Sequence, residues 1–79
     1  MDMKDLLEGM IKAIVDKPDE VSLELNEGEN TVIYELKVGD GDVGKVIGKK
    51  GKNVGSLRTL LSAATAKAGG KRALLEIIE

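Results

Sequence analysis

Val46-Ile47-Gly48-Lys49-Lys50-Gly51-Lys52-Asn53-Val54 sets a glycine-bounded basic turn between two apolar segments of helical spacing. Gly48 and Gly51 lack Cβ, so the chain can pass through positive φ there and lay its amides close to a ligand. Lys49 and Lys50 put positive charge at the tip of the bend. Gly51 opens the longer of the two segments. The first-turn amides and the positive end of the helix dipole therefore face the same turn as the lysines. A turn built this way suits a polyanion.

The distribution of charge supports that reading. The net charge is −2, but residues 1–42 hold four lysines against twelve acidic residues, a balance of −8. Residues 43–79 hold eight Lys or Arg against two Glu, a balance of +6, and no acid interrupts the run from Val43 to Leu75. A positive face on an acidic chain favours local recognition of phosphate over indiscriminate adhesion.

Working outward, Met3, Leu6, Leu7, Met10, Ile11, Ile14 and Val15 recur at steps of three and four and predict an amphipathic helix, with Asp2 as N-cap and Pro18 as its stop. Val21, Leu23 and Leu25 then alternate with polar residues, as do Val32, Tyr34, Leu36 and Val38 after the turn at Glu27-Gly28-Glu29-Asn30. That period of two predicts a hairpin. Gly39-Asp40-Gly41-Asp42 breaks the second strand, and Val43 to Ile47 has room only for a short helix before Gly48. Beyond the turn, Val54, Leu57, Leu61, Ala64 and Ala68 predict a long helix ending at Gly69-Gly70, and Ala73 to Ile78 reads as a third strand. The expected order is α-β-β-α-α-β in one domain spanning 1–79, an α+β fold.

Composition excludes much chemistry. There is no cysteine for a disulfide or thiolate site and no histidine to act as base or ligand, so an enzyme is the remote reading. No cofactor is expected. Gly39 to Gly44 spells Gly-x-Gly-x-x-Gly, but Asp40 and Asp42 would meet a pyrophosphate with like charge and the following helix is too short for a dinucleotide fold. The Walker pattern also fails, because Lys50 stands where a hydroxyl must hold Mg²⁺. Asp40 and Asp42 lack the further oxygen ligands of a calcium loop, so no metal site is expected. No apolar run reaches the ~18 residues needed to span a bilayer, and no basic stretch followed by an apolar one opens the chain. A soluble cytoplasmic protein with no membrane partner is the expectation.

The order of elements, with Ile47, Gly48, Gly51 and Val54 forming Ile-Gly-x-x-Gly-x-x-aliphatic, resembles the KH domain in its type II arrangement. Gly44 one turn upstream, Ser56-Leu57-Arg58-Thr59 and the closing basic-to-aliphatic strand make the chain similar over nearly its whole length to the small bacterial KH proteins of the KhpA type. The resemblance implies a three-stranded mixed sheet covered on one face by three helices. It also implies a groove that clamps about four nucleotides of single-stranded RNA. Carried onto this chain, Gly44, Lys45 and Ile47 would line one wall, Gly48, Lys49, Lys50 and Gly51 would form the loop, and Lys52, Asn53 and Arg58 would follow along the next helix. The strand from Arg72 would supply the opposite wall. With one tyrosine and no other aromatic residue, stacking is scarce and sequence preference should be weak.

A second class stays open, a protein-interaction or dimerisation module with a KH fold and no RNA of its own. If Tyr34 and its alternates pack on the helices, Ile33 lies on the other face with Leu74 and Ile78 and offers an apolar patch for a homodimer. The resemblance also implies a larger KH-domain protein as a partner. Gly44 and Gly55 would serve close helix packing under this plainer reading.

Overall fold

The first helix, α1 (Met3–Ile14), begins where Asp2 accepts a hydrogen bond from the Asp5 amide at 2.9 Å, the N-cap expected from the sequence. In the computed structural model, which describes residues 2–68 and 70–78, it is followed by β1 (Ser22–Glu27), β2 (Thr31–Lys37), α2 (Val43–Ile47), α3 (Lys52–Ala68) and β3 (Arg72–Ile78). The stop expected at Gly69 and the side chain of Ala68 lie outside the described residues.

β1 and β2 pair antiparallel, with Leu23 opposite Leu36 and Leu25 opposite Tyr34, and β3 joins β2 in parallel, with Tyr34 opposite Leu75. The sheet order is β1-β2-β3, so β3 is an edge strand. Leu7 and Ile11 of α1, Val46 of α2, and Val54, Leu57 and Leu61 of α3 pack on Leu23, Tyr34, Leu36 and Leu75. Every element contributes to this one core, with the helices on one face of the sheet as expected. Full burial of each aliphatic side chain contributes about 1.5–3 kcal/mol. α2, too short to be stable alone, is thereby held by Val46.

Two local expectations give way. α1 stops at Ile14, not at Pro18. Val15 is extended and closes the helix through its amide to Ile11 O at 3.2 Å, while Pro18 starts a separate turn of 3₁₀ helix, Pro18–Glu20. Asp42, described below, accepts the amides of Asp16 and Lys17, so neither continues the helical ladder, and Pro18 cannot continue it. Leu25 lies on the helix-facing side of β1 yet stays exposed. On the outer face Ile33 stands beside Leu74, but Glu24, Glu35 and Glu76 occupy the next row across all three strands.

Candidate nucleic-acid interface

The bend at 48–51 is built by three left-handed residues. Gly48 has φ 75°, Lys50 φ 55° and Gly51 φ 74°. Lys50 is the only non-glycine with positive φ among the described residues, and such a residue costs of order 1–3 kcal/mol. The two glycines have different reasons to be glycine. A Cβ on Gly48 would sit 2.6 Å from Asn53 Cγ, whereas one on Gly51 would meet nothing within 4 Å. Asn53 approaches Gly48 because its Nδ2 donates to Lys45 O at 2.8 Å, satisfying a carbonyl at the end of α2. Asn53 thus ties the start of α3 to the end of α2 across the bend.

The loop amides divide in a way the sequence did not disclose. Gly48 N–H donates to Gly44 O at 2.9 Å, Gly51 N–H to Gly48 O at 3.2 Å, and Lys52 N–H to Lys49 O. Among the described residues, the amides of Lys49 and Lys50 donate to no other part of the chain, and the side chains of Lys49, Lys50 and Lys52 make no ion pair. The donors that remain for an anion are therefore on the lysines at the tip, not on the glycines that flank them.

Asp42 supports the loop from behind. Its side chain is 1% exposed, and its two oxygens accept from the Lys17 amide at 2.9 Å and the Asp16 amide at 3.2 Å. Its own carbonyl receives the Lys45 and Val46 amides at 3.0 and 3.3 Å. One residue therefore anchors the start of α2 to the segment leaving α1. Lys45 adds an exposed pair with Asp16 at 3.5 Å, a contact worth at most about 1 kcal/mol. In the sequence Asp42 reads only as a charge that repels a pyrophosphate or as one of too few calcium ligands. Its position just before a short helix was the available signal, though it does not cap that helix with its side chain.

Two other expected residues meet on a groove of about 450 Å³ between α3 and the free edge of β3, lined by Arg58 and Ser62 on one side and residues 72–76 on the other. The groove continues past Thr65 and Ala66 toward Gly70. Arg58 meets β3 at Leu75, while Thr65 and Ala66 lie beside Arg72 and Ala73, so β3 runs back toward the loop. Arg58 is seven residues beyond Gly51, about 10 Å along the helix, and Arg72 stands farther off beside Ser62. Ile47, 38% exposed just before the bend, offers apolar surface. A Cβ on Gly44 or Gly55 would meet nothing within 4 Å, so helix packing does not require glycine at either place. Tyr34, whose hydroxyl is pushed above its ordinary range by burial and then by Asp2 and Glu27, belongs to the core and not to this site.

A bend of the form Gly-x-x-Gly joining two helices, set on a mixed three-stranded sheet with a free strand edge beside the second helix, defines the KH fold in its type II arrangement. Residues 4–77 match the family model described as KhpA/KhpB, KH domain, and the chain belongs to that family. It is 47% identical over 77 residues to the RNA-binding protein KhpA of Chlamydia trachomatis serovar D, covering 98% of this chain and 97% of that protein. It is 49% identical over 76 residues to the RNA-binding protein KhpA of Clostridium acetobutylicum, covering 96% and 100%. Among solved structures, Era of Aquifex aeolicus, crystallised with GDP.AlF4-, superposes with a TM-score of 0.60 over 95% of this chain and 30% of that one. At 14% identity that likeness shows the fold alone. No helix among the described residues is long and apolar enough to cross a membrane.

Proposed function

We propose that this chain binds single-stranded RNA, holding about four nucleotides along the bend at 48–51 and the groove between α3 and β3. The observation that carries the reading is the pair of undonated amides at Lys49 and Lys50 beside three lysine side chains without acidic partners among the described residues. That combination accepts a phosphate through main chain and charge together. Names of relatives such as the RNA-binding protein KhpA of Chlamydia trachomatis support the same ligand. Gly44, Lys45 and Ile47 form the near wall, Lys52 extends the charge, and Arg58 and Arg72 serve the groove beyond. Asn53 acts chiefly by fixing the bend. The cellular role that fits is that of a post-transcriptional regulator or RNA chaperone.

Fluorescence anisotropy with an eight-nucleotide single strand, compared with the same sequence in duplex, tests the proposal. Binding of the single strand should weaken with salt, log affinity falling against log salt with a slope between about −1.4 and −2.8 for two to four phosphate contacts. A flat salt response, or equal affinity for the duplex, would remove the reading.

Self-association through the outer sheet face gains little support. A contact centred on Ile33 and Leu74 would border the row of Glu24, Glu35 and Glu76, and withdrawing carboxylates from water costs free energy. Exposed apolar side chains also lie elsewhere, where Ile14 and Leu60 border a groove between α1 and α3. Pairing with a second copy or with a larger KH-domain protein is compatible with RNA binding and would raise selectivity through effective concentration.

A further inference from the structure

Four lysines stand in or beside the bend, and one of them is already engaged. Lys49, Lys50 and Lys52 make no ion pair among the described residues, whereas Lys45 Nζ lies 3.5 Å from Asp16 Oδ2. The neighbouring Lys17 does not compete for this carboxylate, because its own Nζ donates to Asp40 O at 3.0 Å. Asp16 is therefore paired with Lys45 alone among the described residues.

Neither partner is free to leave by moving its main chain. The amides of Val15, Asp16 and Lys17 are held in succession, the first by Ile11 O at 3.2 Å and the others by the two Asp42 carboxylate oxygens at 3.2 and 2.9 Å. Across from them, the Lys45 amide donates to Asp42 O at 3.0 Å and the Lys45 carbonyl accepts from Asn53 Nδ2 at 2.8 Å. Asp42 thus fixes both main chains, and side-chain rotation alone can part the charges. An exposed carboxylate held there occupies the place a phosphate would take on Lys45.

Resting on the RNA reading above, we propose that Asp16 is an internal competitor for RNA, masking Lys45 and holding down the affinity of the near wall. A strand that reaches Lys45 must displace the carboxylate or bind with that wall unused. Displacement frees a counterion from the phosphate but leaves Asp16 to gather one from solution, so the contact adds little to the salt slope.

A double-mutant cycle of Asp16→Asn and Lys45→Gln, read by fluorescence anisotropy with an eight-nucleotide single-stranded RNA, tests the competition. Asp16→Asn should raise affinity about threefold at low salt, the scale of one exposed ion pair. It should also steepen the fall of log affinity with log salt by about 0.7, one phosphate contact. In the chain carrying Lys45→Gln the same change should raise affinity by less than about 1.5-fold, since no cation is left to unmask. Asp19→Asn removes an equal charge from an exposed residue without an ion pair among the described residues, and it should raise affinity less than Asp16→Asn does. Asn keeps the amide that Asp42 holds, and thermal melts establish that every variant is folded. No gain from Asp16→Asn, an equal gain with and without Lys45, or a gain from Asp19→Asn of the same size overturns the masking while leaving the RNA site in place. Absence of binding by both the wild type and Asp16→Asn overturns the RNA reading itself, and this inference with it.

Discussion

Asp42→Ala should destabilise the fold more than any substitution in the loop itself. The carboxylate is 1% exposed and receives the Lys17 and Asp16 amides at 2.9 and 3.2 Å. Hydrogen bonds to a charged acceptor contribute about 1.5–3 kcal/mol each. Both bonds are only part-buried, and the freed amides can turn toward water, so the sum is discounted to about 2–4 kcal/mol. A chain of 79 residues has a total stability of roughly 4–12 kcal/mol, so the loss is a large fraction of the whole. Asp42→Asn keeps the shape and one carbonyl acceptor but turns an amide donor toward a main-chain donor, an expected cost of about 1–3 kcal/mol. Urea unfolding followed by circular dichroism measures both, with the midpoint moving and the slope unchanged because the same surface is exposed. Loss of the tie should also move the amide NMR signals of Lys45 and Val46, which donate to the Asp42 carbonyl. An Asp42→Ala midpoint equivalent to less than about 0.5 kcal/mol of destabilisation would refute the claim that this carboxylate joins α1 to α2.

Three further outcomes follow from the site. Lys49→Asp with Lys50→Asp should abolish RNA binding with the melting temperature nearly unchanged, both side chains being exposed and unpaired among the described residues; retained binding would contradict the loop's role. Gly48→Ala should cost about 1–3 kcal/mol through positive φ and the close approach of Asn53, and Asn53→Ala in the same chain should recover part of that cost; additive effects in a double-mutant cycle would deny the contact. Gly55→Ala, in mid-helix with open space beyond, should raise stability by about 0.5–1 kcal/mol and leave RNA affinity alone, while Gly44→Ala should weaken binding without destabilising the fold; equal affinities for the two variants would place Gly44 outside the groove wall.

Local pattern made the hairpin, the short α2 and the long α3 legible, because each has its own period and its own glycine or turn boundaries. Tyr34 and Leu36 fall in the core and Ile33 outside it, as strict alternation requires. The end of α1 was not legible. The amide of Asp16 just beyond it goes to a carboxylate 26 residues away in sequence, and no local propensity reports on a partner at that distance. The bend itself was found from Gly48, Gly51 and the lysines, but the use of its amides was not, since three of them are consumed by bonds that exist only once the bend has closed. Asn53 and Arg58 were legible as polar residues at the start of α3. Their partners, Lys45 O and Leu75 O, are main-chain atoms with no identity in the sequence.

The most direct measurement is a titration of the ¹⁵N-labelled chain with an eight-nucleotide single-stranded RNA, followed through its amide signals. The amides of Lys49 and Lys50 should move most, those of Gly48, Gly51 and Lys52 less because they are already bonded within the chain, and those of Glu24 and Glu35 on the far face of the sheet should stay in place. Unmoved signals at Lys49 and Lys50, with shifts elsewhere on the surface, would contradict a phosphate clamp at this bend.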